Sequence, residues 1–343
     1  MNTLLLDALK CENDWRRPPV WLMRQAGRYM PQYRALRTKH TLWDMFHQPE
    51  LAAEVTLMPI DILGVDAAIL FSDILVIAEA LGLTAHYPEK GGPFLSSLLM
   101  SIDEIDRLQL LEVETVLDYV KQTILLLKPE LSVPLIGFCG GPFTVAAYIL
   151  DGAQKGEFKR TLSLIESNPA SLHLLLEKLT NASIEYLRLQ IEAGVEAVQI
   201  FDSWANIVHG TPFQEFALSY AKKIIDALND SSIPIIYFCR DSSSHVSEVA
   251  AIGPSAISFD WNRPMVDLRQ ATPSHIAVQG NIDPEILKKD HATIVQSVEN
   301  VLKQMSHEKG FVLNLGHGVL PDTPVDHVRC FVDTVKNFAT TAP

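Results

Sequence analysis

The sequence predicts a single (β/α)8 TIM barrel with its active site at the carboxyl ends of the strands. Short, almost uniformly apolar runs recur along the chain, as expected for strands covered on both faces. Amphipathic helical patterns lie between these runs, and such alternation is typical of a parallel barrel. A doubly wound sheet ranks second, because eight parallel strands would make a large open sheet. No Pro/Ser-rich linker divides the chain, so residues 1–343 are predicted to form one domain.

Each predicted strand is an apolar run that ends in a polar or glycine-rich turn. The eight runs cover residues 20–23, 66–71, 134–138, 195–201, 233–238, 255–259, 275–279 and 311–315. A longer excursion, residues 85–130, separates the second strand from the third.

The predicted helices show apolar positions at three- and four-residue spacing. They cover residues 49–63, 168–193, 212–229 and 324–338. Thr211 and Thr323 each precede a proline. Because threonine favours the N-cap and proline the first turn, both are predicted to start a helix.

Charge is distributed unevenly along the chain. The whole sequence has 28 basic and 41 acidic residues, a net charge of −13, which argues against binding nucleic acid or an anionic membrane through its overall field. Residues 1–40 nevertheless hold eight basic and three acidic side chains. This basic segment predicts a local anion site, although a solvated helix face is the ordinary explanation of a charge run.

Cysteine usage and the N-terminal sequence predict a cytoplasmic protein. The four cysteines are far apart and form no CxxC pair, which is typical of a chain from a reducing compartment. The first residues lack a basic leader and a small-residue cleavage site, so no signal peptide is expected. No apolar run approaches the roughly 18 residues needed to span a bilayer.

Polar side chains follow nearly every predicted strand, where a barrel of this kind places its chemistry. Arg24 and Arg28 follow the first strand and would share one face of a helix. Two such guanidinium groups repel each other unless carboxylates or phosphates lie between them, so they predict an anion site; surface salt bridges are the alternative. Gly27 between them would let the backbone approach a ligand closely.

Asp73 and His317 are the most informative of the other strand-end residues. Asp73 is either a carboxylate aimed into the barrel mouth or simply the N-cap of a helix that starts at Ile74. His317, between two glycines, either presents its imidazole to a ligand or bonds to its own loop. Tyr148 and Ser203 would be unremarkable if each stood alone.

Nucleotide and metal sites are poorly supported. The GFCGGPFT segment has neither the spacing nor the lysine of a P-loop, and no GxGxxG motif opens a helix. Cys239 and His317 are two scattered candidate ligands, which do not make a zinc site. We therefore expect no metal and no nucleotide cofactor.

Five segments together closely resemble the uroporphyrinogen decarboxylase family. They are WLMRQAGRYMPQYRALR (21–37), FSDIL (71–75), GFCGGPFTVAAYILDG (137–152), QIFDSWA (199–205) and NLGHGVLPDTP (314–324). The resemblance implies a (β/α)8 barrel that acts as a cytosolic homodimer without a metal or organic cofactor. It also implies that the enzyme removes carbon dioxide from the four acetate arms of uroporphyrinogen III, giving coproporphyrinogen III for haem synthesis.

The resemblance also implies roles for individual residues. Asp73 would accept the pyrrole N–H groups of the substrate and stabilise positive charge on the ring. The other implied substrate-binding residues are Arg24, Gln25, Ala26, Gly27, Arg28, Tyr148, Ser203 and His317, with Arg37 as a weaker candidate. Asp73, Arg28, Tyr148 and His317 form the implied catalytic set. Arg28, Tyr148, His317 and water all remain possible proton donors.

One departure from the family pattern and two rival functions stand beside this interpretation. Some family members carry histidine after the serine of strand four, where this chain has Trp204. A zinc-dependent methyltransferase of the same superfamily is one rival, but its HxC pattern at strand five reads Tyr237-Phe238-Cys239 here. A non-catalytic tetrapyrrole carrier is the other, and it would not need Asp73 or Tyr148 to converge on the ligand.

Overall fold

A curled parallel sheet lies at the centre of the fold. The structure is a computed structural model that describes residues 2–13, 17–88, 94–95, 102–152 and 158–338. The strands are β1 (Ala68–Ile69), β2 (Ala85–His86), β3 (Phe94–Leu95), β4 (Leu135–Gly140), β5 (Ala197–Phe201), β6 (Ile235–Phe238), β7 (Ala256–Ser258), β8 (Ala277–Ile282) and β9 (Phe311–Leu315). The main sheet has the order β1-β4-β5-β6-β7-β8-β9, and each neighbouring pair is parallel. β2 and β3 form a separate antiparallel pair.

Helices connect consecutive strands of this sheet. The α-helices are α1 (Leu4–Leu9), α2 (Pro31–Arg37), α3 (Leu42–His47), α4 (Pro49–Leu63), α5 (Ile102–Arg107), α6 (Val113–Val116), α7 (Asp118–Leu127), α8 (Pro142–Asp151), α9 (Lys159–Ser167), α10 (Pro169–Ala193), α11 (Ser219–Leu228), α12 (Val246–Ala251), α13 (Met265–Ala271), α14 (His291–Gln304) and α15 (Val325–Asn337). Short 3₁₀ helices cover Ile74–Leu81, Ala205–Ile207, Asn229–Ser231, Ser242–Ser244 and Pro284–Lys288, and a π-helix covers Phe213–Leu218.

The strand predictions are confirmed for seven of the eight apolar runs, but the first run, residues 20–23, is not a regular strand. Val20 forms a single parallel bridge to Leu313. Beyond it the backbone N–H groups bond to side chains: Leu22 N donates to Gln25 Oε1 (3.2 Å) and Met23 N donates to Asn314 Oδ1 (3.2 Å). These side chains take the place of a neighbouring strand as hydrogen-bond partners. The apolar run predicted a longer strand because an apolar pattern does not show such partners.

The helix predictions hold for position but not for capping. The predicted helix 49–63 is confirmed as α4, and α10 and α15 agree with their predictions within one residue at each end. Residues 212–229 are divided between the π-helix and α11. The predicted threonine caps are wrong, because no side-chain hydrogen bond closes either helix start and the buried Thr323 hydroxyl has no partner among the described residues.

Apolar side chains cover both faces of the sheet, which explains the uniformly apolar strands. One buried cluster packs inside the curl of the sheet and includes Ile136, Ile236 and Val312 from three different strands. α1 packs against this inner cluster through Leu5 and Leu9. A second, larger cluster joins the outer face of the sheet to the helices. Within the described parts of the chain, no helix combines the length and apolar character needed to cross a bilayer.

Candidate active site

A cavity of about 300 Å³ opens at the carboxyl ends of the strands. Its apolar wall comes from side chains in the C-terminal halves of β1, β4, β5 and β6 or just after them, namely Ile69, Phe71, Phe138, Phe201 and Phe238. Polar groups line the same space. They are Arg24, Gln25, Ser72, Asp73, Tyr148, Ser203 and His317. Most of the strand-end residues singled out by the resemblance are therefore brought together.

Asp73 both caps a helix and faces the cavity, so the two sequence-based interpretations are compatible. Its Oδ1 accepts a hydrogen bond from Leu75 N (2.8 Å) at the start of the 3₁₀ helix Ile74–Leu81. Burial raises the pKa of Asp73 to about 6, against the opposing effects of that bond and of the Arg24 charge. The carboxylate is therefore anionic near neutral pH but poorly solvated, which suits it to stabilise a developing cation.

Arg24 enters the cavity from a turn and not from a helix. Its φ of 59° lies in the left-handed region, and residues 21–30 contain no helical turn, so the predicted helical face shared with Arg28 is wrong. Gly318 makes this path possible, because a Cβ there would lie 2.5 Å from Arg24 Cδ. The guanidinium of Arg24 has no hydrogen bond or ion pair with any described residue, which leaves its donors available to a ligand.

His317 presents a hydrogen-bond donor to the cavity. Its Nδ1 accepts a bond from Gly318 N (2.7 Å), which assigns the imidazole proton to Nε2. Nε2 is buried and has no partner among the described residues. Burial, with the charges of Arg24 and Arg240, lowers the pKa of His317 to about 3, so the ring is neutral at physiological pH. The predicted bond to its own loop therefore fixes the tautomer that faces the ligand.

Tyr148 and Ser203 are positioned by one buried carboxylate, Asp202. Asp202 Oδ1 accepts from both Thr144 N (3.0 Å) and Thr144 Oγ1 (2.6 Å), and this ties the first turn of α8 to the end of β5. Tyr148 lies in the next turn of α8, and Ser203 directly follows Asp202. Burial raises the pKa of Asp202 to about 6, while its bonds from Thr144 and Tyr237 oppose that rise.

The remaining residues of the arginine-rich segment have different positions. Gln25 and Ala26 line the cavity, and the Gln25 side chain also bonds to Ala67 O (3.1 Å). Gly27 does not line it, and a Cβ there would make only ordinary contacts, so no close backbone approach is required.

Arg28 and Arg37 lie near Tyr33. Burial raises the pKa of Tyr33 and both charges oppose that rise, and the Tyr33 ring packs edge-on against Phe71 with 5.9 Å between ring centroids. Arg37 donates to His40 O (2.6 Å), while Arg28 is exposed. Neither arginine lines the cavity, so their predicted contacts with substrate stay predictions.

Other strand-end carboxylates hold loops together. Asp260 accepts from Ser243 N (2.9 Å) and Ser243 Oγ (2.8 Å), joining the loops after β6 and β7. Asp283 caps the 3₁₀ helix Pro284–Lys288 through Glu285 N (2.9 Å). Polar residues at strand ends were thus a signal for the site, but only part of them contributes to it.

A possible metal group lies outside the cavity. Within the described ranges, His291, Asp326 and His327 have ligand atoms within 4.8 Å of one another. They occupy the first turns of α14 and α15, where the positive helix ends disfavour a cation. Neither Cys239, which is fully buried, nor His317 belongs to such a group among the described residues. The described residues therefore do not bring together the zinc ligands that the methyltransferase alternative requires.

Comparison with known proteins assigns the chain to a family. The family model for uroporphyrinogen decarboxylase matches residues 1–338. A uroporphyrinogen decarboxylase from Protochlamydia amoebophila is 48% identical over 335 residues, which cover 98% of this chain and 92% of that protein. The chain belongs to the uroporphyrinogen decarboxylase family. A second uroporphyrinogen decarboxylase, from Flavobacterium johnsoniae, is 40% identical and covers 98% of both chains.

Solved structures support the fold of this uroporphyrinogen decarboxylase family member. A methyltransferase from Methanosarcina mazei has a TM-score of 0.75, with 98% of both chains covered and 20% identity. A B12-independent methionine synthase from Shewanella has a TM-score of 0.56 at 10% identity, with 84% of this chain and 87% of that chain covered. At these identities the likeness concerns the α/β fold alone. The family match, in contrast, spans every residue that lines the cavity.

Proposed function

We propose that this chain removes carbon dioxide from the four acetate side chains of uroporphyrinogen III, giving coproporphyrinogen III. The observation that carries the proposal is the cavity, in which a buried carboxylate, a neutral imidazole donor and a guanidinium without a partner among the described residues share one space. Relatives named uroporphyrinogen decarboxylase, which are 39–48% identical over almost the full length, support the proposal.

The lining of the cavity suits the chemistry of that substrate. Uroporphyrinogen carries eight carboxylates on a flexible macrocycle whose centre is apolar apart from four N–H groups. The phenylalanine rings of the cavity would contact the macrocycle, and Asp73 would accept from its N–H groups. Arg24 would bind one of the carboxylates through charge-assisted hydrogen bonds.

Asp73 would stabilise the charge that develops during the reaction. Protonation of a pyrrole ring at carbon makes the ring cationic, and the electrons of the bond to the carboxylate then flow into it as carbon dioxide leaves. Protonation of the resulting exocyclic carbon gives the methyl group, and loss of the added ring proton restores the pyrrole. A preorganised anion beside the ring lowers the barrier to this sequence. The substrate itself serves as the electron sink.

His317 would bind a substrate carboxylate through Nε2–H and would not supply the proton. Its Nδ1 already accepts a hydrogen bond, and its low pKa leaves it without an acidic proton near neutral pH. Of the possible donors named from the sequence, this leaves Arg28, Tyr148 and water.

The pH dependence of kcat/KM should report a buried carboxylate and not His317. Burial raises the pKa of both Asp73 and Asp202 to about 6, so these anions are lost as pH falls through that value, whereas His317 does not titrate until pH is about 3. We expect an acidic limb near pH 6 in the wild type and in His317→Gln. Profiles recorded between about pH 5 and pH 8 check this, and a limb that disappears in His317→Gln would assign it to the imidazole instead.

We also propose that residues 19–23 complete an eight-stranded barrel. Two backbone hydrogen bonds support this: Leu313 N donates to Pro19 O (2.9 Å), and Asp66 N donates to Val20 O (2.8 Å). The segment therefore bonds to the β9 side of the sheet and to the residues that precede β1.

Homodimer formation and a cytoplasmic location complete the proposal. The dimer rests on the family resemblance, and the location rests on that resemblance and on cysteine usage. Sedimentation velocity would distinguish a dimer from a monomer of 38.2 kDa.

The activity itself is tested by incubating the purified chain with uroporphyrinogen under anaerobic, reducing conditions. Chromatography of the oxidised products should show seven, six, five and finally four carboxyl groups, and recovery of the octacarboxylate alone would overturn the proposal.

A further inference from the structure

We propose that Arg240 is a second carboxylate-binding residue of this cavity, held in place by Trp204. The inference rests on the proposed function, since it adds a binding residue for the same substrate. It adds Arg240 to the carboxylate-binding arginines that the sequence suggested, Arg24 and Arg28.

Arg240 does not itself line the cavity but lies beside residues that do. It follows β6 by two residues, and Phe238 at the end of that strand lines the cavity. The guanidinium carbon lies 4.1 Å from the ring centroid of Trp204, a cation–π contact. Trp204 directly follows Ser203, another lining residue, so strands β5 and β6 together fix the position of the charge.

Trp204 is itself held by a backbone hydrogen bond and by a ring contact. Its backbone N–H donates to Thr144 Oγ1 (2.9 Å), which in turn donates to Asp202. Its ring packs against Phe158 with 4.9 Å between centroids, and Phe158 contacts Tyr148 edge-on at 6.4 Å. The ring is therefore a fixed support beneath the guanidinium.

The guanidinium of Arg240 has no hydrogen-bond or ion-pair partner within the described part of the chain. Its Nε is buried without a hydrogen bond, and no acidic side chain lies within ion-pair distance. The neighbouring carboxylate, Asp241, is instead bonded to Asn206 (2.8 Å) and Asn262 (3.2 Å). The four N–H donors of its two terminal nitrogens are thus left for a ligand.

Arg24 and Arg240 act on the same region of the cavity. The charges of both lower the pKa of His317, and the Arg24 charge also lowers the pKa of Arg240, after the larger effect of burial. Two unpaired cations in one region repel each other, and a carboxylate bound between them offsets this repulsion. A substrate with several carboxylates at its rim supplies such groups.

The test compares variants of both residues with a matched control. Arg240→Ala should raise KM for uroporphyrinogen about tenfold or more, while kcat changes less than about threefold, because a charged hydrogen bond to substrate is lost. The KM of Arg240→Lys should lie between those of the wild type and Arg240→Ala, because lysine keeps the charge but not the planar fork of donors. Trp204→Leu should raise KM less than Arg240→Ala does. Arg188→Ala, which removes the same charge from an exposed position on α10, should leave KM unchanged.

Binding provides a readout that does not depend on turnover. The dissociation constant of uroporphyrin, the stable oxidised octacarboxylate, is measured by fluorescence quenching for each variant, and thermal unfolding checks its folding. Weaker binding by Arg240→Ala, with Arg188→Ala unchanged, supports the inference. Wild-type binding by folded Arg240→Ala and Arg240→Lys overturns it, even if the wild type decarboxylates uroporphyrinogen. A wild type that binds uroporphyrin but releases no carbon dioxide would count against the proposed function alone.

Discussion

Replacing Asp73 by Asn is expected to lower kcat for decarboxylation about 10²- to 10³-fold and to change KM by less than about threefold. The amide cannot stabilise the cationic ring through its charge, but it occupies the same space and still offers an oxygen to the pyrrole N–H groups. Steady-state kinetics with uroporphyrinogen under anaerobic conditions measure both constants.

The same substitution should not weaken the fold. Asn can still accept the Leu75 N–H bond that caps the 3₁₀ helix, because Asn and Asp are comparable N-caps. The folded-state pKa of Asp73 is about 6 and the ordinary value is 3.8, so the carboxylate destabilises the folded state as pH rises above 3.8. Asp73→Asn should therefore unfold at the same or a higher temperature than the wild type at pH 7.

Asp283→Asn is the matched control for Asp73→Asn. Asp283 also follows a strand and caps a 3₁₀ helix, through Glu285 N at 2.9 Å, but it does not line the cavity. Its kcat should equal that of the wild type. If Asp73→Asn turns over at the wild-type rate, the proposed electrostatic role of Asp73 is wrong.

Replacing Arg24 by Ala is expected to raise KM for uroporphyrinogen about 10- to 100-fold, because one charged hydrogen bond contributes about 1.5–3 kcal/mol. Loss of the Arg24 charge should also raise the pKa of His317, and NMR titration of the imidazole measures that change. Arg24→Lys keeps a cation at this position and should recover part of the affinity. An Arg24→Ala enzyme with wild-type KM and wild-type affinity for uroporphyrin would remove Arg24 from the binding site.

The fold could be predicted in large part because its strands are buried on both faces. Runs such as FVLNL at 311–315 have few alternatives to a strand between layers of helices, and β9 matches that run. Residues 20–23 carry the same apolar signal. Their amides bond to the side chains of Gln25 and Asn314, which no local pattern reveals.

The candidate site could be predicted where a residue's role depends on its own strand end. Asp73, Ser203 and His317 each follow a strand, and the fold brings them to one cavity. Arg240 also follows a strand, but what distinguishes it is its contact with Trp204 from another strand. Residue spacing could not reveal this contact.

Arg24 and Arg28 illustrate the opposite error. Four-residue spacing suggested one helical face, but the left-handed backbone at Arg24 and the lack of a helix over residues 21–30 rule that face out. Gly318, almost 300 positions further along the chain, makes room for that turn. A local pattern could not show this dependence on a distant glycine.

The amount of carbon dioxide released per macrocycle tests the central claim most directly. The purified wild-type chain, treated with chelator and incubated anaerobically with uroporphyrinogen III, should release four carbon dioxide molecules for each coproporphyrinogen III formed. A chain that binds the octacarboxylate and returns it intact, with no carbon dioxide released, would contradict the account and favour a tetrapyrrole carrier.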